Sequence, residues 1–191
     1  MPIAISYYLL GSAQEEKGKR LIESCMQWGV DADICGIEIE TDAQFKPLFI
    51  LEQLRRWKRP VLWVEPSAVF LQKPIVADFD SCDFSARLNE FLPKGHPSRI
   101  LSKTVFARHN ARAEKILEAW GNAPSDEGLR DAIDAAEGLH FLPLPLKYCK
   151  SFHYDKLFIS RPEIVIEHEK SPLRQKKNLH VLAFPPDHCS R

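Results

Sequence analysis

Val61-Leu62-Trp63-Val64-Glu65-Pro66-Ser67-Ala68-Val69-Phe70-Leu71 is an apolar run interrupted once, by a carboxylate, a proline and a hydroxyl. The large apolar side chains from Val61 to Val64 leave no face for water, the pattern of a central strand covered on both sides. Open α/β sheets contain such strands and build ligand sites from the residues just beyond their carboxyl ends. Glu65 and Ser67 are therefore the first candidate site residues.

The flanking sequence alternates strand-like and helix-like patterns, as a sheet with crossover helices requires. Residues 3–10 read as a first core strand and not a signal peptide: no basic residue precedes them, and the run is too short to cross a bilayer. Gly11 and Ser12 supply a turn and a cap. Leu21, Ile22, Cys25, Met26 and Trp28 then recur at helical spacing behind the charged segment 15–20, and Gly29 closes the helix. A second strand is expected at 32–39. Thr41-Asp42 can cap a helix carrying Phe45, Leu48, Leu51, Leu54 and Trp57 inward, with Pro47 tolerable near its start. Residues 83–88 and 103–108 read as strands around the loop 91–97. One helix runs from Ala113 through Trp120 to Gly121, and another starts at Ser125 and carries Leu129, Ala132, Ile133 and Ala136. Strands are expected at 139–146 and 163–167, followed by a basic, proline-bearing tail.

A chain of 191 residues with 45% hydrophobic content closes one sizeable core, so residues 1–191 read as a single domain. The 26 basic and 26 acidic residues balance and are interspersed, which argues against a nucleic-acid partner. Cys25, Cys35, Cys82, Cys149 and Cys189 are odd in number and lack C-x-x-C spacing, so reduced thiols in a cytoplasmic compartment are expected.

The order of several motifs resembles one family. Lys46-Pro47 leads a helix into V-L-W-V-E-P-S-A-V-F, closed by Pro74. Further on come Ser102-Lys103-Thr104-Val105-Phe106-Ala107-Arg108, a helix ending in Trp120, and Ser125-Asp126-Glu127. Leu142-Pro143 with Tyr148 and then Ile166-Glu167-His168 follow, before the basic residues Arg174 and Lys177. Together these resemble the nucleotide-diphospho-sugar transferases of the GT-A fold, whose central strand ends in D-x-D. The resemblance implies a Rossmann-like α/β/α sandwich with a mixed, mainly parallel sheet. It also implies transfer of a sugar from a nucleoside-diphosphate donor, a UDP-sugar above all, to a protein, glycan or lipid acceptor.

In this chemistry the departing nucleoside diphosphate gains negative charge, which a prepared positive site must meet. The family uses a divalent cation, magnesium or manganese, held by hard oxygen ligands. Glu65 and Ser67 occupy the two D-x-D positions and His168 that of a third ligand. Glutamate keeps the charge, whereas serine supplies a neutral oxygen that holds such a cation weakly. The resemblance further places Tyr8 and Gly11 at the nucleobase, Lys46, Arg174 and Lys177 at the diphosphate, and Asp126 or Glu127 at the sugar or acceptor.

Three arrangements fit the altered motif. Glu65 and His168 form a reduced metal site; or fixed charge from Lys170, Arg174, Lys176 or Lys177 replaces the cation; or catalysis is lost and the domain binds nucleotide or protein partners. Simpler roles stand beside the functional ones. Glu65 and Ser67 suit a strand end and turn, Asp126 and Glu127 suit a helix amino terminus, and Trp63 and Trp120 suit a core. A lysine at the start of a helix, by contrast, is not favoured by the helix dipole, which directs attention to Lys46. A nucleotidyltransferase would need a fuller glycine-rich loop than Gly11-Ser12-Ala13.

Overall fold

The structure is a computed structural model that describes residues 1–38, 44–90, 92, 93, 96, 99–150 and 163–169. Its centre is a six-stranded sheet built from β1 (Ile3–Leu9), β2 (Ala32–Ile37), β3 (Val61–Val64), β5 (Phe84–Leu88), β6 (Ile100–Ala107) and β7 (Phe141–Pro143), in the order β2-β1-β3-β6-β5-β7. β1 pairs in parallel with β2 and β3, and β5 with β7, whereas β6 runs antiparallel to both its neighbours. A second, two-stranded ribbon joins β4 (Ala68–Phe70) to β8 (Ile166–His168) in antiparallel register. The sheet is thus mixed and mainly parallel, as the sequence led one to expect.

Two apolar layers close on this sheet. One contains Ile3, Ile5, Val61, Trp63, Phe84 and Val105, covered by α2 (Phe45–Trp57), α3 (Ala111–Asn122) and α4 (Asp126–Asp134) through residues such as Ile50, Ile116 and Leu129. The other contains Ala4, Leu62, Val64 and Phe106, covered by α1 (Ala13–Trp28) through Leu21 and Cys25 and by the β4/β8 ribbon through Phe70 and Ile166. The period of two along each strand separates these sets. β3 is buried along its whole length, which is why its sequence carries no alternation.

Local chemistry fixes the helix ends. Ser12 Oγ accepts the Gln14 N–H at the start of α1, and Gly29 ends that helix with φ of 59°, a left-handed conformation that favours glycine. Asn110 and Ser125 cap α3 and α4 by accepting the N–H groups of Ala113 and Gly128. Asp83, just before β5, accepts from Arg112 Nε at 2.7 Å, Asn110 Nδ2 at 2.7 Å and the His140 N–H at 3.0 Å. It thereby ties α3 and the approach to β7 to the sheet.

Three expectations need correction. α2 buries Leu51 and Leu54 as expected, but Phe49 and Ile50 take the inner positions assigned to Leu48 and Trp57, which are 48% and 38% exposed. Within 139–146 only Phe141–Pro143 pairs, because Pro143 and Pro145 have no N–H to donate to a ladder. The expected strand at 163–167 is instead Ile166–His168. Thr41, Asp42 and Ile39 lie outside the described residues. Cys25, Cys35, Cys82 and Cys149 are free thiols. No helix among the described residues is long and apolar enough to cross a membrane.

Candidate functional site

β1 and β3 run in parallel side by side, so their carboxyl ends open at the same edge of the sheet. Two cavities meet there. One, of about 280 Å³, is lined by Tyr7, Leu9, Gln14, Lys17, Trp63, Glu65, Pro66 and Ser67. The other, of about 270 Å³, is lined by Tyr7, Lys46, Ser102, Trp120, Pro124, Ser125 and Asp126. Tyr7 borders both, and Lys46 Nζ in the second lies 3.7 Å from Glu65 Oε1 in the first. The two cavities are thus neighbours, one beside the first turns of α1 and the other at the capped start of α4, with Tyr7 and the Lys46–Glu65 pair between them.

The backbone fixes the Glu65-Pro66-Ser67 turn. The Glu65 N–H donates to Lys103 O at 3.0 Å, the Ala68 N–H to Glu65 O at 3.0 Å, and the Glu169 N–H to Ser67 O at 3.0 Å. β3, β6 and the end of β8 therefore hold the turn in place. Their grip leaves the Glu65 side chain at the cleft, one-third exposed.

Lys46 sits in the first turn of α2, and its stem passes between two indoles. Nζ is 5.3 Å from the Trp63 ring centre and 5.7 Å from that of Trp120. It donates to Ser102 O at 2.6 Å and to Ser102 Oγ at 3.0 Å. Burial lowers the Lys46 pKa, an effect that the charges of Glu65 and Asp126 oppose. Asp126 Oδ1 accepts the Ser102 N–H at 3.3 Å, so strand β6 links the lysine to the carboxylate across the cleft.

His168 lies deeper, on the opposite face of the sheet. It is 3% exposed, its partner in the β4/β8 register is Ala68, and its Nε2 is 2.8 Å from Thr104 Oγ1. Its Nδ1 has no hydrogen-bond partner among the described residues. Burial, reinforced by the charges of Lys103 and Lys46, pushes its pKa down to about 3, so the imidazole is neutral. Cys149, also near Thr104, is buried and has its pKa pushed up to about 12 by that burial.

The remaining candidates divide. Tyr8 points to the α1 face, where its ring packs on Gly18: a Cβ at Gly18 would lie 2.2 Å from Tyr8 Cδ1. Tyr7 is the tyrosine that lines the cleft, stacked edge-on against Phe45 and Phe49. Gly11 turns with φ of 69° and donates its N–H to Glu15 Oε2 at 2.8 Å, outside the cleft lining. Glu127 pairs with Arg130 on the exposed side of α4. Arg174 and Lys177, like Lys170 and Lys176, lie outside the described residues. Sequence reasoning passed over Tyr7, Lys17, Trp63 and Trp120 as lining residues. The Tyr7-Tyr8 alternation was the available signal for the first, whereas the tryptophans are core and wall at once.

The donor set bears on the metal ion implied by the resemblance. Glu65 faces a lysine, Ser67 is neutral, and the nearer ring nitrogen of His168 is engaged by Thr104. Among the described residues no group of three or more His, Cys, Asp or Glu side chains is placed to hold a metal ion. These residues do not fit a closed site for a divalent cation.

Comparison with solved structures identifies the fold. The chain superposes on a glycosyltransferase involved in glycosylation of the major capsid of PBCV-1, with a TM-score of 0.62 at 13% identity, covering 94% of this chain and 98% of that one. It also matches the galactosyltransferase LgtC, solved in complex with donor and acceptor sugar analogs, with a TM-score of 0.56 at 7% identity, covering 97% of this chain and 98% of that one. A third match is the glycosyltransferase GlyE of Streptococcus pneumoniae TIGR4, with a TM-score of 0.55 at 11% identity, covering 90% of this chain and 56% of that one. No protein-family model matches the chain, and no curated protein matches it in sequence. The protein has the fold of the GT-A glycosyltransferases.

Proposed function

We propose that the chain binds a nucleoside-diphosphate sugar, a UDP-sugar first of all, in the cleft at the ends of β1 and β3 and transfers its sugar to a protein, glycan or lipid acceptor. The observation that carries this reading is the meeting of the two cavities at Tyr7 and at the Lys46–Glu65 pair. A carboxyl-end cleft with an aromatic wall, one partly buried ammonium group and carboxylates on both sides suits a ligand with a flat base, an anionic middle and a hydroxyl-rich end. Glycosyltransferase neighbours of the same fold support the class of donor.

In this reading Tyr7 and Leu9 flank the nucleoside, Lys46 meets the diphosphate, and Asp126 accepts hydrogen bonds from sugar or acceptor hydroxyls. The chemical demand on the site is modest: the bond from anomeric carbon to phosphate oxygen breaks, and the charge left on the diphosphate must find a cation already in position.

Thermal denaturation with UDP-glucose, UDP-galactose and GDP-mannose tests binding, since a ligand at a hundred times its Kd stabilises by roughly 2.7 kcal/mol. Release of UDP or GDP from the bound donor tests turnover, and Asp126→Asn should slow that release. Stabilisation without nucleotide release would leave the domain a nucleotide-binding module, the alternative to an enzyme. No stabilisation by any of the three donors would refute the reading.

A further inference from the structure

We infer that Lys46 takes the place of the divalent cation, so that this cleft binds a nucleoside diphosphate without any metal ion. The inference rests on the donor reading above and specifies how that site meets the diphosphate charge. A divalent cation at the turn would need several hard oxygen ligands, and the described residues supply one carboxylate, Glu65, with the neutral Ser67 beside it. His168 is buried and bonded to Thr104. The cation that is present is the ammonium of Lys46, 3.7 Å from the carboxylate that stands in the first D-x-D position.

Three features make this lysine more than a surface charge. Its Nζ is anchored on Ser102 by two hydrogen bonds, at 2.6 and 3.0 Å, leaving a third N–H. The nearest carboxylate among the described residues is too far away to be a hydrogen-bond acceptor. The Trp63 and Trp120 rings, with centres 5.3 and 5.7 Å from Nζ, favour the charge electrostatically. The Trp63 indole N–H, buried in the same wall, also has no acceptor among the described residues. An arriving phosphate oxygen would give an anionic partner to a donor group now paired only loosely with Glu65. Lys17, lining the same cleft and paired with Glu169 at 3.2 Å, adds a second positive charge at the α1 end.

The test is UDP and UDP-glucose binding followed by isothermal calorimetry and thermal shift, in EDTA and in manganese chloride. Wild type, Lys46→Met, Lys46→Arg and a surface control, Lys115→Met, are compared. Equal affinity with and without chelator, at least about tenfold weaker binding in Lys46→Met, and unchanged binding in Lys115→Met are expected. Lys46→Arg should retain more affinity than Lys46→Met, because it keeps the charge. Where Lys46→Met fails to fold, the wild-type comparison still decides whether a metal ion is needed, and Lys46→Gln, compared in the same way, decides the part of the lysine. Binding that needs manganese overturns the inference and leaves the donor reading standing, as does full affinity in a folded Lys46→Met. No binding of either probe in either buffer overturns both.

Discussion

Acid should destabilise this protein through His168 in a way that a single substitution removes. The imidazole is 3% exposed and its pKa is pushed down to about 3, mainly by burial, from an ordinary value of 6.5. A histidine depressed in the folded state binds its proton first in the unfolded chain. Its influence is therefore absent above pH 6.5, grows as pH falls below that value, and levels off only near pH 3. At pH 5 the unfolded chain is protonated at this position and the folded one is not. The gap of about 1.5 pH units, at about 1.36 kcal/mol each, removes about 2 kcal/mol of stability relative to pH 7. Urea denaturation of wild type and His168→Gln at both pH values isolates the effect, because every other titrating group is common to the two proteins. The wild type should lose about 2 kcal/mol more than the variant with no change in the urea dependence. Equal losses, or an NMR titration placing His168 near its ordinary value, would refute the burial argument and make the ring accessible enough to bind a cation.

Asp83→Ala should cost about 2 kcal/mol or more in urea denaturation, because it strands the donors of Arg112, Asn110 and His140 that now converge on one buried carboxylate. The Arg112 guanidinium, with the other two donors, holds the Asp83 pKa down to about 2, so its stabilisation is complete above the ordinary value of 3.8 and fades towards pH 2. Because Arg112 is half-exposed, that pH-dependent part amounts to only about 1 kcal/mol, and Asp83→Asn should lack it. Gly128→Ala should lower Tm by the equivalent of about 1–3 kcal/mol, since a Cβ there would lie 1.8 Å from the Ala123 carbonyl oxygen. An unchanged Tm would show that the α3–α4 junction yields more easily than its backbone contacts indicate.

What could be read from the letters depended on whether a residue's neighbours come from its own segment. β3 was legible because four apolar residues in a row admit only a strand covered on both sides. The caps Ser12 and Ser125 act within three residues of themselves. α2 was placed correctly but rotated, because Phe45-Lys46-Pro47-Leu48-Phe49-Ile50-Leu51 is apolar almost all round and offers no single stripe. Tyr7 and Tyr8 had to face opposite sides of β1, yet nothing within β1 says which side holds the cleft. That is decided by Gly18 in α1, ten residues after Tyr8, whose missing side chain makes room for the Tyr8 ring. The burial of His168 depends on Thr104, 64 residues away, and was not legible at all.

The same division explains how the fold persists while the site changes. The turn after β3 is fixed by main-chain hydrogen bonds from Glu65 to Lys103, from Ala68 to Glu65 and from Glu169 to Ser67. None of these involves the side chain at 65 or 67, so substitution there leaves the turn, the β4/β8 ribbon and the cleft in place. A chain 7–13% identical to its structural neighbours can therefore keep their architecture whatever side chains stand at that turn. Lys46 is constrained in the opposite way. Its contacts with Trp63, Trp120, Ser102 and Glu65 all run through its side chain, so the position contributes little to the backbone and much to the electrostatics of the cleft. A partly buried ammonium group loses hydration that the two bonds to Ser102 and one ion pair at 3.7 Å replace only in part. In the proposed reading a diphosphate oxygen would supply the missing partner, so this lysine, and not the side chains at 65 and 67, is what points to an anionic ligand.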